Sequence, residues 1–131
     1  MKGDKIKSIK INKAKRKVEI ICQDSVKTIV QFENIEGVIT EVKVSKGFSQ
    51  KAAIGEEFMM LRKFEQRETR VVGESSLLAV TTSVRVVNSN DQYVFGFFVT
   101  QHVFDHESKP DLVSKLGKVE VKERSRKDAL H

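Results

Sequence analysis

The stretch "SLLAVTTSVRVVNSNDQYVFGFFVTQHVF", residues 76–104, decides the fold. Its first half is rich in Val and Thr, whose branched Cβ atoms suit a pleated strand better than a helix. "NSND", residues 88–91, follows; Asn, Ser and Asp bond to nearby backbone and favour a turn. The chain then returns through residues 92–104, which hold the only tyrosine and four of the eight phenylalanines. Strand, turn and strand predict a long β-hairpin. In the returning strand Tyr93, Phe95, Phe97 and Val99 lie on one parity, and Val94, Phe98 and Phe104 on the other. Apolar residues on both parities predict a central strand covered on both faces. Burying each phenylalanine contributes ~1.5–3 kcal/mol, which favours core over an exposed platform for stacking flat ligands.

Upstream, the apolar residues alternate. "KIKSIKIN" (residues 5–12) sets Ile9 and Ile11 among lysines, which suits an edge strand or a strand added to a partner's sheet. "KVEIICQ" (17–23) and "VKTIVQF" (26–32) are joined by the turn residues Gln23, Asp24 and Ser25, and "GVITEVKV" (37–44) alternates around Val38, Val42 and Val44. The period then changes: in "SQKAAIGEEFMMLRKFEQRE" (49–68), Ile54, Phe58, Leu61 and Phe64 recur at helical spacing behind Ser49, a possible N-cap. The spacing predicts a helix over about 49–68, with Gly55 as an interruption. "PDLVSKLGK" (110–118) predicts a short C-terminal helix with Pro110 in its first turn.

The expected fold is a single β-rich α+β domain over residues 1–131. It has an antiparallel sheet or small barrel of five to six strands, one helix at about 49–68 and a short C-terminal helix. Residues 1–16 read as a basic N-terminal arm or edge strand, and 119–131 as a charged, fraying tail. No apolar run approaches the ~20 residues that span a bilayer, and the basic start lacks the apolar block of a signal peptide. A cytoplasmic (or viral, intracellular) setting is expected. Cys22 is the only cysteine, so an intrachain disulfide and a cysteine-based zinc site are excluded.

The net charge of +6 is unevenly placed. Residues 1–17 carry eight Lys/Arg against Asp4 alone, whereas 18–108 carry nine basic and thirteen acidic residues. Residues 109–131 carry seven basic and four acidic residues. Cationic ends on a slightly acidic body point to an anionic partner, or serve solubility and keep edge strands unpaired.

Two short motifs resemble known families. "FGFFV" (95–99) resembles the stacking strand of the RNA-recognition motif, K/R-G-F/Y-G/A-F-V-x-F/Y, at Phe95, Gly96 and Phe97. It departs from that pattern at Tyr93, Val94, Phe98 and Thr100, and the element order differs from that family's. "KAKRK" with "GVITEVKVSKGF" is similar to the basic motif and D-x-S-x-x-G turn of PilZ domains, barrels that bind cyclic dinucleotides. With Gly47 as the final glycine, Val42 and Val44 replace the Asp and Ser that read the ligand. Neither family is assigned.

No catalytic constellation is legible. His102 and His106 in "HVFDHE" have a His-x-x-x-His spacing, but residues four apart on a strand lie ~13 Å apart, too far to share one metal unless the strand ends at Phe104 and the chain turns. The carboxylates Glu56, Glu57, Glu65 and Glu68 alternate with Arg62, Lys63 and Arg67, the pattern of a solvated face. No nucleophile elbow or phosphate-cradling glycine loop is present, and no cofactor or metal is expected. The expectation is therefore a non-enzymatic binding module whose basic termini engage nucleic acid. Its contacts would be Lys10, Lys13, Lys15, Arg16 and Lys17, joined by Lys122, Arg124, Arg126 and Lys127. The alternative is an assembly or adaptor subunit of a phage, viral or secretion complex, a homo-oligomer formed by strand addition through residues 5–12 and the tail.

Overall fold

The structure, a computed structural model, describes residues 3–125. In chain order its strands are β1 (Asp4–Asn12), β2 (Lys17–Cys22), β3 (Ser25–Gln31), β4 (Ile39–Val44), β5 (Glu57–Phe58), β6 (Met60–Val72), β7 (Ser75–Val87), β8 (Tyr93–Phe104) and β9 (Glu120–Ser125). Two four-residue helices, α1 (Gln50–Ala53) and α2 (Pro110–Val113), interrupt them. The strands form two antiparallel sheets, ordered β5-β1-β2-β3-β9 and β4-β8-β7-β6. Both sheets are open, so the barrel considered from sequence does not close.

The β7–β8 hairpin forms as its sequence predicts, running from Leu77↔Phe104 to Val87↔Tyr93. The turn is held by Asn88, whose Oδ1 accepts from the N–H groups of Asn90 and Gln92. With β4 on its other edge, β8 is an interior strand. Its faces are unequal, however. Phe95, Phe97, Val99, Gln101 and Val103 are buried, whereas Val94, Phe98, Thr100 and His102 are only half-buried. Coverage on both faces is thus replaced by one core face and one partly open face.

The core lies between the sheets. Ile6, Ile9, Val18, Ile20, Val30 and Phe32 from the first meet Val42, Val84, Val86, Phe95, Phe97 and Val99 from the second. Cys22 is buried in this cluster. A smaller cluster of Leu78, Val80, Val103 and Leu116 packs against Val38, Leu112 and Val113 at the α2 end. Gln101, 1% exposed, accepts a hydrogen bond from the Gly117 N–H at 2.8 Å, which ties the chain after α2 to β8.

The long helix expected over 49–68 is corrected. Ser49 does cap a helix, its Oγ accepting from the Ala52 N–H at 3.0 Å, but α1 ends at Ala53. Gly55 then takes φ +86, a left-handed conformation that suits glycine. Beyond it the backbone is extended, because β7 offers a partner along its whole length: β6 and β7 pair without a register shift from Met60↔Val87 to Val72↔Ser75. Thirteen continuous ladder positions outweigh the modest helix preference of Lys, Arg, Glu and Gln. Helix makes up only 9% of the structure, so the fold is strand-rich rather than built on a helix and a sheet. Within the charged segment after residue 118, Glu120–Ser125 form β9, paired with β3; residues 126–131 of the expected tail lie outside the described residues. Among the described residues, no helix is long and apolar enough to cross a membrane.

Candidate nucleic-acid interface

The β1–β2 connection concentrates the lysines. Its turn, residues 13–16, is fixed locally: Asn12 Oδ1 accepts from the Lys15 N–H at 3.0 Å, and the Arg16 N–H donates to the Lys13 carbonyl at 3.2 Å. Arg16 itself adopts φ +51, unusual for a non-glycine residue. The tight turn leaves Lys13 and Lys15 exposed at one end of the sandwich. On the flanking strands Lys10 and Glu19 are direct cross-strand partners, and Lys17 lies two residues along on the Glu19 face. Lys10, Lys13, Lys15 and Lys17 therefore line a single open concavity with Ile11, Asn12, Val44 and Gln50. Glu19 is the one carboxylate in that lining, and it is paired with Lys17 at 2.9 Å. Gln50 Nε2 donates to the Ile9 carbonyl at 3.1 Å, which anchors α1 against β1 at the rim.

Arg16, expected to join this set, is turned elsewhere. Its Nη1 donates to the Ala14 carbonyl at 2.9 Å and its Nε to the Phe32 carbonyl at 3.3 Å. It also borders a separate cleft that contains Glu33 and Glu120. Its charge closes the turn rather than facing the lysine concavity.

Lys122 is placed by the ladder. Lys10, Glu19, Thr28 and Lys122 occupy one register row across β1, β2, β3 and β9. Three strand spacings separate the ends of that row, ~14 Å. Lys122 is further bound to Glu120 at 3.3 Å. Arg124 stands opposite Val26 in register, and Arg126 and Lys127 lie outside the described residues. The lysines of the first hairpin thus come together, while Lys122 does not join them.

Two polar side chains lining the concavity, Asn12 and Gln50, are not signalled by charge. The neighbouring Asn12 is suggested by the turn it caps; Gln50 reaches the site only because α1 packs on β1.

The aromatics divide. Phe95 and Phe97 are fully buried, with ring centroids 6.2 Å apart. Tyr93 and Phe104 are exposed. The Arg85 guanidinium lies 4.8 Å from the Tyr93 ring centroid and 5.3 Å from that of Phe64, so these rings are engaged by a cation on the open face of the second sheet. His102 ends up on β8 and His106 in the 3-10 turn His106–Ser108. No group of three or more His, Cys, Asp or Glu side chains among the described residues is placed to hold a metal.

No family model, curated protein or solved structure matches this chain.

Proposed function

We propose that this protein is a non-enzymatic binding module whose β1–β2 lysine cluster engages the phosphate backbone of nucleic acid. One observation carries the reading: Lys10, Lys13 and Lys15 border one concavity whose only carboxylate, Glu19, is taken up by a fourth lysine, Lys17. Lysine is a flexible point charge suited to phosphate, whereas bidentate base recognition favours arginine, and Arg16 is committed to backbone carbonyls. The contacts are therefore of the kind that hold the backbone without reading sequence. Asn12 and Gln50 add polar groups at the rim.

The test is fluorescence anisotropy with labelled duplex DNA and single-stranded RNA over a salt series. Three phosphate contacts give a slope of log K against log salt of about −3 on a duplex. Lys13→Ala and Lys15→Ala each reduce that slope by about 1, without favouring one sequence over another. A slope near zero, or binding unchanged in the doubly substituted protein, overturns the proposal.

Assembly is the second reading, but of the two segments singled out for it β1 is substantially used within the chain, and β9 is paired on one side only. β5 pairs with Asp4 and Lys5, the carbonyl of Glu56 and N–H of Gly55 bond Ile6, and Gln50 bonds Ile9. β9 is paired with β3. What favours assembly is a different edge, that of β6.

A further inference from the structure

β6 is the outermost strand of the second sheet, and every residue from 63 to 72 is exposed. Such an edge offers unpaired N–H and C=O groups to any other strand. Proteins commonly blunt long edges with charged side chains, proline, bulges or brevity; of these β6 has only charge, at Arg62, Lys63, Glu65, Arg67, Glu68 and Arg70. β6 has thirteen residues, no proline and no register shift against β7. The loop to β7 has two residues, Gly73 and Glu74, with Gly73 at φ +62, as a II′ hairpin requires. Val72 and Ser75 are then the hydrogen-bonded pair that closes the hairpin. Even-numbered residues of β6 accordingly bond inward to β7, and odd ones, from Leu61 to Val71, face the open edge.

The edge is also matched to itself. A closed two-fold dimer of antiparallel edges needs an axis perpendicular to the sheet, and that axis must pass beside one residue facing its own copy. Gln66 is the midpoint of β6, so an axis there pairs all thirteen residues. Glu65 then faces Arg67 twice, Lys63 faces Thr69, Leu61 faces Val71 and Met60 faces Val72. Only Arg62 and Arg70 meet as like charges, and those guanidinium groups are already bound to Asp91 and Glu68. An axis at Glu65 or Arg67 sets like charges against each other, and one at Phe64 or Thr69 shortens the overlap. The Gln66 axis also covers apolar surface: Met60, Phe64, Val71 and Val72 are four of the nine exposed large hydrophobic residues in the described chain.

We propose that β6 is a homodimerisation edge. Two copies pair their β6 strands antiparallel about a two-fold axis at Gln66, joining two four-stranded sheets into one of eight strands. Each Arg67 lies between its own Glu65, to which it already bonds at 2.6 Å, and that of the second copy. This surface is separate from the lysine concavity and does not depend on its occupant.

The test begins with sedimentation of the full chain, free of nucleic acid, over a wide concentration range. A monomer–dimer equilibrium is expected, and Arg67→Glu weakens it by about tenfold by setting Glu against Glu at two positions. The exchanged pair Glu65→Arg with Arg67→Glu restores it. Gln66→Cys supplies the geometric readout. Its self-facing position is a non-hydrogen-bonded pair with Cα atoms ~4.5 Å apart, within disulfide range, so mild oxidation yields a covalent dimer. A cysteine at position 70, made by Arg70→Cys, is ~27 Å from its copy and does not crosslink. A monomer at every concentration overturns the proposal, as does a dimer that Arg67→Glu leaves intact or that crosslinks equally at both positions.

Discussion

Arg16 and Phe32 are tied to each other through their backbones and one side chain. The Phe32 N–H donates to the Arg16 carbonyl at 3.0 Å, and the Arg16 Nε returns a bond to the Phe32 carbonyl at 3.3 Å. The end of the first hairpin is thereby fastened to the end of β3, and Phe32, 1% exposed, is held in the core. Arg16→Ala is expected to lower stability by about 1.5–3 kcal/mol, the range for hydrogen bonds to charged groups. Its salt-dependence slope for nucleic acid should stay that of the parent. Chemical denaturation and the anisotropy series together check this; a lower slope at unchanged stability would make Arg16 a phosphate contact after all.

Gly117 combines φ +78 with a close neighbour: a Cβ built there would lie 2.9–3.2 Å from the Glu65 carboxylate oxygens. The Glu65 carboxylate is the far end of a flexible side chain and can move aside, so Gly117→Ala meets chiefly backbone strain and should destabilise by about 1–3 kcal/mol. Glu65→Ala in the same background removes the contact but not the strain, so thermal unfolding of the double variant should recover only part of the loss.

Thr82 is 4% exposed, and its Oγ1 has no hydrogen-bond partner among the described residues. It sits on the core face of β7, opposite Val99. Thr82→Val replaces the hydroxyl with a methyl of similar shape and should raise stability by about 1 kcal/mol. Calorimetry reads the change directly, and a loss of stability would show that the hydroxyl is satisfied in solution.

The Arg70 guanidinium, by hydrogen bonding first and by its charge second, holds the Glu68 carboxyl below its ordinary value. A depressed carboxylate contributes stability above its unfolded value, and that contribution fades as pH falls through the folded one. Both side chains are well exposed, so solvent screens the pair. Glu68→Gln should leave the acid limb of a stability–pH profile nearly unchanged; a marked shift would place the carboxylate in a tighter setting than this one.

The hairpin over 76–104 was legible because its signals are local: branched residues, then Asn and Asp at the turn, then a returning apolar run. The alternation around Val18, Ile20 and Cys22, and around Val42, likewise reports one buried face of a strand. Residues 57–72 were misleading because Phe58, Leu61 and Phe64 fit a helical stripe, yet in the strands Phe58 is buried, Leu61 half-buried and Phe64 exposed. Only pairing with β7, which lies outside the segment itself, decides the matter. The binding residues divide in the same way. The density of lysine at 10–17 is plain in the sequence, but the diversion of Arg16 onto Phe32 and the ~14 Å between Lys10 and Lys122 follow from strand order, which no local pattern encodes.

The pairing of β3 with β9 joins Thr28 to Lys122, 94 positions later. The β1–β2–β3 and β6–β7–β8 meanders close over short loops and can form early, whereas the β3–β9 ladder must wait for the ends of a long chain to meet. Until then β3 is a bare edge, with Ile29 and Val30 short of their final cover. Refolding should therefore show a fast phase as the meanders form and a slower one as β9 docks, and during synthesis the first sheet stays open until nearly all of this sequence has left the ribosome.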